Sequence, residues 1–127
     1  METDVLAERV YERGELTLCL KEDEQGVHLE WVGRSMELAP SSFLLPVLTQ
    51  AVARARQLHK PLVIDFQKLQ FFNSSTIGPV VQVLEQARRG AQQVTVLYKK
   101  DHKRQALSFT ALELFRTADR RVDVRGL

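Results

Sequence analysis

The run Leu62-Val63-Ile64-Asp65-Phe66 is almost continuously apolar and carries β-branched residues, which is the pattern of a central strand covered on both faces. A strand of that kind demands a sheet with helices against it. The periods on either side supply both. Leu16, Leu18 and Leu20 alternate with Thr17 and Cys19, and Val27, Leu29 and Trp31 alternate with His28 and Glu30, so two half-buried strands flank the polar turn Lys21 to Gly26. They predict an antiparallel hairpin. From Ser41 onward Leu44, Leu48, Ala51, Val52, Ala55 and Leu58 fall at helical spacing, with Ser41 or Ser42 as the expected cap, Pro46 as an early-turn proline and Pro61 at the exit.

After the central strand, Ile77, Val80, Val81, Leu84 and Ala87 form a second helical stripe. Arg88 and Arg89 suit the end of its dipole, and Gly90 suits a left-handed terminus. Val94 to Tyr98 reads as a strand. Leu107, Ala111 and Leu114, with Phe109, Leu112 and Phe115, read as a third helix, and Val122 to Val124 as a last short strand. The order β-β-α-β-α-β-α-β predicts an α/β fold: a mixed sheet with an N-terminal hairpin, parallel βαβ units with right-handed crossovers, and helices mainly on one face. Residues 1–127 make a single domain, in which Thr3 to Arg13 is either a capped helical turn or an extended lead-in.

Composition narrows function by exclusion. A net charge of +2 falls short of the one-sided balance of a dedicated nucleic-acid binder. The basic residues Lys99, Lys100, Lys103, Arg104, Arg116, Arg120 and Arg121 therefore read as solvated faces, with too few aromatics among them for base stacking. The absence of any apolar stretch near the ~20 residues of a membrane span, and of a signal-peptide layout, gives a cytoplasmic expectation. Cys19, the single cysteine, reads as a buried inert thiol. His28, His59 and His102 stand far apart with no metal-ligand spacing, and the glycines form no phosphate loop, so neither a metal nor a cofactor is expected. Asp65 has no second carboxylate beside it and reads as bonding local backbone groups.

The informative segment is Phe71-Phe72-Asn73-Ser74-Ser75-Thr76-Ile77-Gly78, in which four small polar residues separate a core strand from an amphipathic helix. Helix capping needs only one of them. Several hydroxyls together at a helix N-terminus also offer phosphate acceptors where the dipole tolerates negative charge.

With Val63-Ile64-Asp65-Phe66 before it, this segment resembles the STAS family, the fold of bacterial anti-sigma-factor antagonists, in which a strand leads through a short loop into Asp-Ser-Ser-Gly and a helix. The resemblance covers Leu62 to Phe115, and Val32-Gly33-Arg34-Ser35-Met36-Glu37-Leu38 resembles the family's segment before the first helix. It implies phosphorylation of Ser74, with Ser75 and Thr76 as substitutes, and a partner surface over Asn73, Ser74, Ser75, Thr76, Ile77 and Gly78. Asn73 stands where the family has Asp, and Thr76 where it has Gly, a change expected to put a β-branched side chain on the partner surface. The implied partners are a serine/threonine-kinase anti-sigma factor and a metal-dependent serine phosphatase, and the implied role is a switch rather than an enzyme. A STAS-like adaptor for a second-messenger cyclase or stress-signalling assembly, and a constitutive binding module without a phosphoswitch, are the alternatives.

Overall fold

Glu24 and Gln25 are the only two residues between strands β2 (Leu16–Asp23) and β3 (Gly26–Ser35). The Asp23 carboxylate closes the turn by accepting from the Gln25 and Gly26 N–H groups. The computed structural model describes residues 7–127, so the opening segment is seen from Ala7 onward, where Ala7–Arg13 is strand β1. Residues 3–6 of that segment lie outside the described residues. Six strands follow one another across the sheet as β1-β2-β3-β4-β5-β6. The pairs β1–β2 and β2–β3 are antiparallel, and β3 pairs in parallel with β4 (Leu62–Phe72), which pairs in parallel with β5 (Val94–Tyr98) and it with β6 (Val122–Gly126). Helices α1 (Ser41–Leu58), α2 (Ile77–Arg89) and α3 (Lys103–Phe109) form the connections between the parallel strands. Since each crossover steps to the adjacent strand in the same direction, one handedness puts the helices on one face. The α/β class, the mixed sheet and its hairpin are as the sequence predicts.

Burial alternates strictly along β2, with Leu16, Leu18 and Leu20 inward and Thr17, Cys19 and Lys21 half-buried on the other face. The same holds for β4 as far as Phe66, where Val63 and Asp65 are only half-buried, so the expectation of a strand covered on both faces is corrected. Its outward neighbours are side chains of adjacent strands, not a second helical layer. Cys19 likewise is not buried in the core. Partial desolvation still raises its thiol above the usual range, which keeps it protonated.

Three local expectations are corrected. Pro40 occupies the cap position of α1, where its carbonyl accepts from Phe43 and Leu44 N–H, and neither Ser41 nor Ser42 caps. Gly90 is extended rather than left-handed, because the Arg121 guanidinium takes the terminal carbonyls of α2 at Ala87 and Arg88. The left-handed terminus belongs to His59 after α1, at φ 54°. Finally, the third helix ends at Phe109 and continues as a 3₁₀ turn over Thr110–Phe115. Tightening from 3.6 to 3.0 residues per turn turns Leu114 outward, and Leu107 is also exposed, while Phe109 and Leu112 enter the core. Phe109 stacks on Phe66 with ring centroids 4.5 Å apart, and Phe66 meets Trp31 at 4.7 Å.

The outer edge of β6 is satisfied from within the chain at Val122 and Val124. Thr117 N–H donates to Val122 O at 2.9 Å, Val122 N–H to Thr117 Oγ1 at 3.0 Å, and Arg116 to Val124 O. Val124 N–H is taken by the Asp123 carboxylate at 2.9 Å. With these backbone groups already taken, the edge is a poor template for aggregation. Asp123 is itself buried and also receives Arg116 at 2.8 Å and Arg125 at 2.6 Å. Burial alone would raise its pKa, but bonds from Arg125, Arg116 and Val124 N–H outweigh that and hold the carboxyl below its ordinary range. A depressed folded value means the contribution is complete above the unfolded pKa and lost as pH falls through the folded one. Asp123→Asn is expected to cost about 2 kcal/mol at pH 7, discounted because the arginines are partly exposed, and to flatten the acid limb of stability. Urea titrations of both proteins at pH 7 and pH 3 check this; a difference independent of pH would refute the charge argument.

Candidate functional site

β4 leaves the sheet at Phe72, and Asn73, in extended conformation, delivers the chain to a 3₁₀ turn, Ser74–Thr76, that runs directly into α2. Two irregularities in the β3–β4 register precede it, between Glu30 and Val32 and between Gly33 and Arg34. Asp65 bonds Gln67 N–H at 2.9 Å across the first of them, so it has the expected local backbone partner, though within the strand and not at its end. The second sets the terminal register, Arg34 opposite Phe71 and Ser35 opposite Phe72.

That register joins the two segments. Ser35 is buried, with its Oγ 2.7 Å from Thr76 Oγ1, which in turn donates to Asn73 Oδ1 at 3.0 Å. Asn73 N–H donates to Ser35 O at 3.1 Å, and Asn73 Nδ2 to Glu37 O at 2.7 Å. Thr76 is 0% exposed, so its side chain faces the core side of the turn and not the partner surface, contrary to the expectation from sequence. Ser74, Ser75 and Gly78 are exposed, and Ile77 is half-buried. None of the polar side chains caps a backbone N–H at the start of the 3₁₀ turn or of α2. Capping therefore does not account for the cluster. Asn73 and Thr76 are the frame, and Ser74 and Ser75 are what it presents.

The same network explains why an amide stands at position 73. Its oxygen accepts from Thr76 while its nitrogen donates to a carbonyl. An aspartate there would set two acceptors against each other at Glu37. Thr76 is matched to Ser35 in the same way, since glycine would leave a buried hydroxyl without its partner.

Sequence reading passed over two features beside this turn. Met36 and Leu38 expose large apolar side chains, Leu38 to 92%, on the segment that Asn73 Nδ2 holds through Glu37. A cavity of about 210 Å³ lies next to them, lined by Arg13, Leu16, Arg34, Met36 and Phe43 among others. The exposed apolar residues were visible in the sequence, but nothing there placed them beside Ser74.

The histidines are dispersed. His28 lies 3.4 Å from Asp23, His59 ends α1, and His102 caps α3 by accepting from Gln105 N–H. Among the described residues, no three His, Cys, Asp or Glu side chains are grouped to hold a metal ion, and no helix is long and apolar enough to cross a membrane. No family model and no curated protein matches this chain.

Proposed function

We propose that this chain is a phosphorylation-controlled docking module of the STAS kind. Exposed Ser74, held on a turn whose frame is a buried hydroxyl–amide network, is the observation that carries the reading. A serine/threonine kinase, in the manner of a kinase anti-sigma factor or a related signalling protein, transfers the ATP γ-phosphoryl group to Ser74 Oγ with loss of the hydroxyl proton. A metal-dependent serine phosphatase removes the group by hydrolysis, with water taking it as inorganic phosphate and the serine hydroxyl restored. Unphosphorylated, the module binds its partner through Ser74, Ser75, Ile77 and Gly78, with Met36 and Leu38 supplying apolar contact area beside them. Phosphate adds roughly −1.5 to −2 charge and three acceptor oxygens where that interface would have to become dry, so the contact breaks. In this reading the protein catalyses nothing, uses no cofactor, and works in the cytoplasm without contacting nucleic acid or membrane.

The test begins with intact mass after co-expression with a candidate serine/threonine kinase of the anti-sigma kind, followed by fragmentation to place the phosphate. Partner affinity is then measured for Ser74→Ala and Ser74→Asp. We expect Ser74→Ala to bind as the unmodified protein does, and Ser74→Asp to bind at least ~30-fold more weakly, since an unpaired charge at a desolvated contact costs ~2 kcal/mol or more. Equal binding by both variants would instead leave a constitutive module, without a switch at this position.

A further inference from the structure

Two cations share one aromatic ring at the end of β4. The guanidinium carbon of Arg104, on α3, lies 4.8 Å from the centroid of Phe71, and that of Arg34, on β3, lies 5.4 Å from it. Both arginines are exposed, and neither makes an ion pair with a carboxylate among the described residues. Each contact alone is an ordinary surface cation–π pair. Together they gather like charges with no anion between them, on two elements that the fold fixes independently. Arg34 is placed by the β3–β4 register opposite Phe71. Arg104 is placed by its neighbour Gln105, which is fully buried and bonded to the β4 backbone.

Phe71 precedes Ser74 by three residues, at most ~10 Å of chain. Phe72 turns into the core and Asn73 redirects the backbone, so the exposed Ser74 hydroxyl stands at the same end of β4 as both guanidiniums. We propose that Arg34 and Arg104, held on Phe71, form a seat for the phosphate carried by Ser74 of the same chain. This deepens the function proposed above, because it makes phosphorylation do more than repel. A phosphate drawn toward two guanidiniums is fixed in charge-assisted hydrogen bonds, and the arginines become unavailable to an acidic partner. The planar forks of arginine suit this better than lysine would.

The experiment needs neither kinase nor partner. Phosphoserine is installed at position 74 of the full chain by genetic encoding, and its second ionisation is followed by 31P NMR. The expected midpoint lies about one unit below the ordinary value of ~6, because neighbouring cations favour the dianion. In the Arg34→Gln/Arg104→Gln protein it should return upward by most of that shift, with the thermal midpoint of the unphosphorylated double variant within a few degrees of the parent. Identical titrations in the two backgrounds would overturn the seat, since the helix N-terminus is common to both. A second arm adds inorganic phosphate to the unphosphorylated chain and observes the Phe71 ring signals. Little perturbation at millimolar phosphate supports Ser74 as the source; saturation there assigns the seat to a free anion and overturns the proposal as stated. Success or failure here is independent of whether a kinase modifies Ser74.

Discussion

Gln105→Leu is expected to lower the free energy of unfolding by about 4 kcal/mol, a large loss for a substitution of nearly unchanged volume. β4 pairs with β5 only over Leu62 to Asp65, yet it continues to Phe72. Beyond Asp65 the carbonyls on that side have no strand to meet. Gln105 supplies the missing ladder with one side chain. Its Nε2 donates to Phe66 O and Leu69 O, both at 2.8 Å, and its Oε1 accepts from Lys99 N–H at 2.8 Å. Leucine removes all three bonds and leaves buried backbone groups that water cannot reach, each costing ~1–3 kcal/mol. Gln105→Glu separates polarity from shape, because it keeps the bond to Lys99 and turns the bonds to Phe66 and Leu69 into acceptor against acceptor. Chemical denaturation of the three proteins measures both. A Gln105→Leu protein within 1 kcal/mol of the parent would mean that β4 frays there in solution.

Gln105 also marks where sequence reading stopped. A glutamine that follows Lys103 and Arg104 reads as the polar face of a helix, and the β4 carbonyls it bonds lie 36 and 39 residues earlier in the chain. No local period reports such a bond. The neighbouring leucines misled as well: Leu107 and Leu114 fit a 3.6-residue stripe, but Leu107 lies on the solvent side of α3, and the helix tightens after Phe109 so that Leu114 also faces solvent. The hairpin was legible because strict alternation survives over Leu16–Leu20 and Val27–Trp31, and the first half of β4 because its short apolar, β-branched run marks a strand. The second half was not, since its two irregularities space Phe66, Leu69 and Phe72 three apart, which breaks the strand's period of two. β1 hid behind Glu8, Arg9, Glu12 and Arg13, charges that suit an edge strand and erase its apolar signal. At the candidate site, the hydroxyl cluster could be read directly. Which hydroxyl turns inward could not, because that depends on Ser35, 41 residues before Thr76.

Gly33→Ala tests that dependence from the opposite side of the sheet, and is expected to cost about 4 kcal/mol. Gly33 has φ +99°, a backbone conformation that L side chains rarely adopt. A Cβ there would also lie 2.2 Å from the carbonyl oxygen of Glu15, a backbone atom at the start of β2 that cannot rotate away. Relief requires β2 and β3 to separate, which breaks the 3.1 Å bond from Arg34 N–H to that same oxygen. The displaced segment is the one that carries Arg34, Ser35 and the Glu37 carbonyl. Both links that hold Asn73 and Thr76 from this side, at Ser35 Oγ and Glu37 O, therefore shift with it. If the turn is framed as described, exchange of the bonded amides at Asn73 and Thr76 should accelerate in Gly33→Ala beyond what the global loss of stability accounts for. Ser35→Ala should reproduce that acceleration at a cost of only ~1–2 kcal/mol, because it removes the hydroxyl without moving the strand. Unchanged exchange in both variants would show that the Ser74 turn holds its shape without β3, and would place its rigidity in α2 alone.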